Sequence, residues 1–183
     1  MSRPEVVIRP RTSEDLPALA EVLERVHEKE GYPVTLPPSV VAWLSGSRTR
    51  ASFVAVVEGR VVGQASRAVA AGDQAEELWK ESTGLSSHRL AVVKRLFVDP
   101  GAQGHGVGRR LLEAVVADAH RLAMVPVLDV DASNERAQGI YERAGFRRVG
   151  DLELTWTGLG GVFLARCYVG PPPPGSAACA ARG

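Results

Sequence analysis

The chain has 183 residues, of which 45% are hydrophobic and 23% are charged, and its formal net charge is +1. These values are ordinary for one soluble globular domain, and the near-neutral charge gives no reason to expect a nucleic acid or a membrane as partner. No apolar run has membrane-spanning length, and the N-terminus lacks the apolar core of a signal peptide, so we expect a cytoplasmic protein. Cys167 and Cys179 lack metal-ligand spacing, and no metal is expected.

Hydrophobic periodicity and turn residues predict the elements in chain order. They are a strand at residues 6–10, a helix capped by Thr12 or Ser13 and stopped by Gly31, a shorter helix within 36–46, a hairpin turning at 58–60, and a helical insert at 72–84. A strand at 90–98, a helix from about 107, a strand at 125–133, a short helix from residue 134 that ends at Gly145, and two closing strands at 147–156 and 161–170 follow. This order predicts an α/β fold with a mixed, mostly antiparallel sheet of six to seven strands and helices on both faces.

Residues 1–169 are expected to form a single domain, and the Pro/Ala/Gly-rich residues 170–183 a disordered tail. The helix that follows residue 106 is expected to bury one apolar face. That face consists of Val107, Leu111, Leu112, Val115, Val116, Ala119 and Leu122.

The segment VDPGAQGHGVGRRLLEAV, residues 98–115, places Gly101, Gly104, Gly106 and Gly108 at the entrance to this helix. The start of a helix presents unpaired N–H groups and the positive end of its dipole. A loop without side chains lets a phosphate approach those groups closely, and Arg109 and Arg110 would add positive charge. The pattern therefore predicts an anion-binding loop. The alternative is a tight turn in which the glycines serve only backbone geometry.

Two common nucleotide-binding motifs do not fit the chain. It contains no Gly-x-x-x-x-Gly-Lys-Ser/Thr segment, and the pattern G-x-G-x-x-G ends at Arg109 or Leu111 instead of at glycine. A dinucleotide fold should also begin with its fingerprint, whereas this loop follows four predicted strands. Asp129, in a later strand, has the character of a ribose-binding acid, so a nicotinamide-dependent oxidoreductase is kept as an alternative that predicts binding of NAD and not of coenzyme A.

The segment Gln103-Gly104-His105-Gly106-Val107-Gly108 has the form Q/R-x-x-G-x-G/A. It resembles the acetyl-CoA pyrophosphate loop of the GCN5-related N-acetyltransferase (GNAT) superfamily. The segments VKRLFVDP and NERAQGIYERAGF are similar to that family's fourth strand and to its later helix. The order of elements agrees with the family from residue 6 to about residue 169. The resemblance implies a GNAT-like fold and a transferase that moves an acetyl group from acetyl-CoA to a primary amine.

The resemblance also implies roles for individual residues. The backbone of Leu96, Phe97 and Val98 should pair with the pantetheine arm, in the opening made where the fourth and fifth strands splay apart. Asn134 should lie beside acetyl-CoA, although it is equally suited to cap the following helix. Tyr141 matches the tyrosine whose hydroxyl lies near the thioester sulfur. The pyrophosphate should be held by Gln103, Gly104, His105, Gly106, Val107, Gly108 and Arg109.

The chemistry of acetyl transfer requires such groups. An amine with a lysine-like pKa is neutral in only about one molecule in a thousand at pH 7, a cost of roughly 4–5 kcal/mol, so a base or a dry pocket is needed. We expect a backbone N–H near Val98 to stabilise the oxyanion and Tyr141 to protonate the departing thiolate. Neither cysteine has an activating neighbour in sequence, which favours direct attack in a ternary complex.

The resemblance does not identify the general base of this chain. Some members of the superfamily carry a glutamate on the fourth strand where this chain has Val92. Glu81, His88, Asp129 and Asp131 are candidates for a base elsewhere. A second hypothesis is a non-catalytic acyl-CoA-binding domain that has lost its base.

The acceptor amine, on a small molecule or a peptide, is not determined by the sequence. The acidic residues of the insert can attract a cationic amine or can form a solvated helix face; they are Asp73, Glu76, Glu77 and Glu81. A homodimer through the closing strands is compatible with the resemblance.

Overall fold

The computed structural model describes residues 5–155 and 161–176, and its elements follow the predicted order. They are β1 (Val6–Pro10), α1 (Leu16–Glu30), α2 (Val40–Leu44), β2 (Thr49–Val57), β3 (Arg60–Val69), α3 (Glu76–Thr83), β4 (Leu90–Val98), α4 (Val107–Arg121), β5 (Val125–Asp131), α5 (Glu135–Arg143), β6 (Arg147–Thr155) and β7 (Val162–Val169), with short 3-10 helices at Ser13–Asp15, Ser87–Arg89 and Pro100–Ala102.

The strands form one seven-stranded mixed sheet in the order β1-β2-β3-β4-β5-β7-β6. The pairs β1–β2, β2–β3, β5–β7 and β6–β7 are antiparallel, whereas β4 and β5 are parallel. The β4–β5 register pairs residues 90–92 with residues 125–127, and β4 continues for six residues past it. This architecture confirms the predicted α/β fold with a mixed sheet.

The chain divides into two compact units, and β3, β4 and α4 each pass from one unit to the other. The first unit comprises residues 5–68 and 93–115 of the described chain. Its core is formed by one face of α1 together with α2, β2 and β4, and its buried members are Leu19, Val22, Leu23, Val26, Leu44, Val54 and Phe97. Burial of these aliphatic and aromatic side chains is the main stabilising contribution in this unit.

Local signals set both ends of α1. Thr12 and Asp15 form a capping box ahead of the helix, and Gly31 ends it with φ +68°. The Asp15 carboxylate also accepts hydrogen bonds from Arg9 Nη1 (2.8 Å) and Nη2 (2.6 Å). The hydrogen bonds from Arg9 lower the pKa of Asp15 to about 2. Thr12 therefore caps the 3-10 helix at Ser13–Asp15 that leads into α1, whereas the N-cap of α1 itself is Asp15, and the predicted stop at Gly31 is confirmed.

The second unit comprises residues 69–92, 116–155 and 161–176 of the described chain. Trp79 of α3 and Tyr168 of β7 are fully buried in it. After β7, the carbonyl oxygen of Pro171 lies 2.8 Å from His120 Nε2. Residues 177–183 lie outside the described residues, as does Trp156 of the predicted strand. The single domain at 1–169 and the tail at 170–183 stay predictions.

Two local expectations differ from the structure. The helix predicted within residues 36–46 is limited to α2, because two prolines precede its cap at Ser39, whose hydroxyl accepts from Ala42 N at 3.2 Å. Leu122, predicted to lie on the buried face of α4, is 43% exposed because the helix ends at Arg121. Among the described residues, no helix is long and apolar enough to cross a membrane.

Candidate functional site

The turn that leads from β4 into the glycine loop is fixed by Asp99. Its Oδ1 accepts from Gly101 N (2.8 Å), and its Oδ2 accepts from Arg25 Nε (2.9 Å) and Nη2 (2.7 Å). The backbone N–H of Asp99 donates to the carbonyl of Val62 at 2.7 Å. The start of the loop is thus tied to α1 and to β3. Arg25 and Asp99 lie 74 positions apart in the sequence, so no local sequence pattern predicts this bond.

The four glycines of the loop have different roles. Gly104 and Gly106 have φ values of +84° and +76°, and a Cβ on either would meet nothing within 4 Å. A Cβ on Gly101 would lie 3.3 Å from Asp99 Oδ1, whereas one on Gly108 would make an ordinary 3.6 Å contact with a β4 side chain. Left-handed turn geometry explains two of the glycines. The open space beside them leaves the backbone at the start of α4 accessible to a ligand.

One side chain of the loop, Gln103, is anchored to neighbouring elements, whereas His105 and Arg109 are exposed. Gln103 Nε2 donates to Glu30 Oε1 and to the Val98 carbonyl (3.3 Å), so this side chain ties the loop to α1 and β4. His105 is exposed. Arg109 is also exposed, and its Nε lies 2.7 Å from Glu113 Oε1 one turn along α4. The predicted anion-binding segment is therefore an exposed loop that Gln103 anchors.

The segment of β4 predicted to bind a pantetheine arm lies in the first unit. Phe97 is buried in the core of that unit. Gly63 of β3 lies very close to the backbone of this segment. A Cβ on Gly63 would lie 2.5 Å from the Phe97 carbonyl oxygen and 3.1 Å from Val98 Cα. A glycine inside a strand is a sequence signal for such a close approach.

Arg95 of β4 is a feature that the sequence interpretation missed. Its φ is +53°, which breaks the extended conformation in the middle of the strand. Its guanidinium carbon lies 4.9 Å from the centre of the Trp43 ring. The available signal was the pair Lys94-Arg95, which interrupts an otherwise apolar strand.

The other predicted site residues, Asn134 and Tyr141, belong to the second unit. Asn134 caps α5, and its Oδ1 accepts from Ala137 N at 3.1 Å. The predicted capping role is confirmed, and its side chain is exposed. Tyr141 is 8% exposed, and its ring centre lies 6.0 Å from that of Phe146 and 6.4 Å from that of Tyr168.

The candidate general bases of the second unit have different surroundings. Val92 is fully buried, so no polar group replaces the glutamate at that position. Asp131 Oδ1 accepts from Ser133 N (2.8 Å) and from its hydroxyl (2.6 Å), which commits this carboxylate to a turn. His88 is exposed, and Asp129 is half-buried in β5.

The acidic residues of the insert make local contacts. Asp73 Oδ1 accepts from Ala75 N at 3.2 Å, and Glu76 accepts from Gly72 N at 2.7 Å. Glu77 pairs with Lys80 at 2.7 Å. These bonds brace the turn before α3 and its first turn, which favours a structural role for Asp73, Glu76 and Glu77 over attraction of an amine. Glu81 is exposed.

An open cleft of about 330 Å³ lies in the first unit, beside the turn before the loop. Its charged lining residues are Arg25, Glu28, Lys29 and Asp99. Two positive and two negative groups give this cleft no preference for an anion.

The chain is an α/β protein with a mixed sheet, in which a strand, an open glycine loop and a helix follow one another. The family model described as "Acetyltransferase (GNAT) family" matches residues 16–146. The chain belongs to this family.

Similar proteins are named as N-acetyltransferases. The peptidyl-lysine N-acetyltransferase YjaB of Escherichia coli is 40% identical over 77 residues, which are 41% of this chain and 48% of that protein. The aminoglycoside N(6')-acetyltransferase type 1 of Klebsiella pneumoniae is 29% identical over 81% of this chain and 77% of its own length. The crystal structure of Arabidopsis thaliana NAA60 in complex with acetyl-CoA has a TM-score of 0.68 at 21% identity, covering 90% of this chain and 97% of that one. The chain thus spans about half the length of the first of these relatives.

Proposed function

We propose that this chain is an acetyl-CoA-dependent N-acetyltransferase that acetylates a primary amine by direct attack in a ternary complex. The observation that carries the proposal is the exposed loop from Gln103 to Gly108, which opens α4 with two left-handed glycines and open space beside them. Membership of the acetyltransferase family supports the same conclusion. The names of the similar proteins include both peptidyl and aminoglycoside acceptors, so the proposal covers a primary amine in general.

The loop residues fit the pyrophosphate of acetyl-CoA. Gly104 and Gly106 have no side chains, so backbone N–H groups from Gly104 to Arg109 can approach phosphate oxygens. The short β4–β5 register supports binding of a pantetheine arm along the backbone of residues 96–98. Asn134 would contact acetyl-CoA in addition to capping α5.

The chain's own residues then perform the transfer. The amine nitrogen attacks the thioester carbon, and a backbone N–H near Val98 stabilises the oxyanion. The C–S bond breaks, and Tyr141 donates a proton to the departing thiolate. A base accepts the proton of the amine; Asp131 is committed to its turn, which leaves Glu81, His88 and Asp129 as the candidates. Cys167 is fully buried, which disfavours a covalent route through it.

A second candidate function is non-catalytic binding of acyl-CoA. The buried Val92 favours it, because the fourth strand offers no carboxylate at the position used by some family members. Turnover of any amine separates the two candidates. An enzyme releases coenzyme A from acetyl-CoA in an amine-dependent manner, whereas a binding domain does not.

The test is a calorimetric titration of the protein with acetyl-CoA, coenzyme A and NAD. We expect micromolar binding of acetyl-CoA and coenzyme A and none of NAD. Gly106→Glu places a carboxylate beside the loop and should abolish binding. Gly59→Glu is the matched control, because Gly59 has the same φ of +76° and equal open space but lies in the β2–β3 turn. Retained binding in Gly106→Glu, or equal losses in both variants, would contradict the proposal.

A further inference from the structure

Arg95 is held in an unfavourable backbone conformation inside the first unit. Its φ of +53° lies in the left-handed region, which residues with a Cβ seldom adopt within a strand. Strained positions of this kind persist where the surrounding structure imposes them, and they concentrate at functional sites.

The side chain of Arg95 is held in place by contacts with Trp43, Gly46 and Thr49. Its Nη1 donates to Thr49 Oγ1 at 2.8 Å, and the guanidinium lies over the ring of Trp43. Gly46 leaves room for it, since a Cβ there would lie 2.6 Å from Nη2. A guanidinium has five N–H donors, and among the described residues it makes this one hydrogen bond. Thr49, Trp43 and Gly46 therefore fix the position of the guanidinium, while its other N–H groups remain available to a ligand.

Within the part of the chain that the structure describes, no carboxylate is among the groups that act on Arg95. Burial lowers its pKa, and the titratable side chains that act on it are Tyr32, Arg11 and Arg48. Arg11 also has its pKa lowered by burial. The acidic side chain that acts on Arg11 is Asp15. Both carboxylate oxygens of Asp15 already accept hydrogen bonds from Arg9. Half-buried positive charge of this kind is unfavourable until an anion binds.

The position of Arg95 along β4 relates it to the proposed reaction. With the pyrophosphate at the loop after Val98, an arm that follows residues 96–98 runs back along the strand toward Arg95. The thioester end of the arm is then the end nearest to Arg95. An amine that attacks the thioester consequently approaches the same guanidinium.

We propose that the acceptor carries, besides its amine, a carboxylate that Arg95 binds, with Arg11 and Arg48 adding positive charge. This inference rests on the proposed function and names its acceptor class, amines of the amino-acid type. A carboxylate matches the planar donor geometry of a guanidinium and forms strong charge-assisted hydrogen bonds with it. Binding it would give the half-buried cation of Arg95 a counter-ion.

The experiment measures binding of amine pairs that differ in the carboxylate, using protein saturated with coenzyme A. The pairs are phenylalanine with phenethylamine and leucine with isopentylamine, titrated by calorimetry. The amidated peptides Ala-Glu-Ala and Ala-Gln-Ala form a third pair, which distinguishes a peptide carboxylate from that of a free amino acid. We expect the carboxylate-bearing member of at least one pair to bind about ten- to a hundredfold more tightly.

Variants of the cluster identify the group responsible. Arg95→Gln should remove the preference for the carboxylate, and Arg95→Lys should retain part of it because the charge remains. Arg48→Gln should reduce the preference for the carboxylate, and because Arg48 is exposed the substitution should leave the contacts of Arg95 with Thr49 and Trp43 unchanged. Arg50→Gln is the matched control, because Arg50 is exposed and donates to the carbonyls of Ser47 (2.8 Å) and Thr49 (3.2 Å). A melting temperature for each variant verifies that it is folded.

The outcomes separate this inference from the proposed function. Absence of acetyl-CoA binding contradicts the proposed function and is measured first. If acetyl-CoA binds but both members of every pair bind equally at millimolar concentrations, the acceptor inference is wrong. It is also wrong if the preference survives in folded Arg95→Gln or is lost equally in Arg50→Gln.

Discussion

Replacing Gly63 by alanine tests whether the backbone of β4 has to hold its position for acetyl-CoA to bind. The new Cβ would lie 2.5 Å from the Phe97 carbonyl oxygen, where contacts below 3.0 Å are essentially never found. One of the two strands must therefore move by about half an ångström. Both of these neighbours, the Phe97 carbonyl oxygen and Val98 Cα at 3.1 Å, are backbone atoms, so neither can move aside as the end of a flexible side chain could.

Overpacking of this kind costs about 1–3 kcal/mol, so the melting temperature should fall by about 3–10 °C for a chain of this size. The displaced carbonyl also belongs to the backbone proposed to bind the pantetheine arm. Loss of one such hydrogen bond is worth about 1 kcal/mol, so the dissociation constant for acetyl-CoA should rise roughly five- to tenfold. Calorimetry measures both quantities on the same preparation.

Gly108→Ala is the matched control, because it adds the same methyl group at the start of α4. The new Cβ would meet Val98 Cγ2 at an ordinary 3.6 Å, and alanine favours a helix. We expect an unchanged or higher melting temperature and wild-type affinity. A wild-type melting temperature and affinity in Gly63→Ala, or equal losses in the two variants, would refute the reasoning.

Two further predictions concern pH and catalysis. Because Arg9 lowers the pKa of Asp15 from 3.8 to about 2, this carboxylate should stabilise the fold above about pH 4, and its contribution should disappear as the pH falls toward 2. The shift corresponds to about 2 kcal/mol, reduced to about 1 kcal/mol because the Arg9 side chain is 40% exposed. Urea unfolding of wild type and Asp15→Asn should give a stability difference that shrinks between pH 4 and 2, and a constant difference would contradict the assignment. Tyr141→Phe should lower kcat about tenfold or more without changing acetyl-CoA affinity, and an unchanged kcat would remove Tyr141 from the acid role.

The order of the elements was determined by the sequence alone, because its signals act within a few residues. The capping box at Thr12 and the stop at Gly31 define α1 locally. The hairpin turn at Gly59 and the cap at Asn134 are equally local. The glycine loop was also predicted, since two of its glycines occupy left-handed positions that the turn into α4 requires.

The tertiary structure decided the features that depend on contacts between distant residues. Arg25 reaches Asp99 across 74 positions, and Gly63 meets the Phe97 carbonyl only because β3 and β4 are neighbours in the sheet. The setting of Arg95, with Thr49 at its guanidinium and arginines nearby, arises in the same way. Local propensity fixes helices, strands and turns, but the charge and packing around a side chain depend on segments far away in the chain. The sequence therefore determined the family of this protein, whereas the packing revealed the positive charge beside β4.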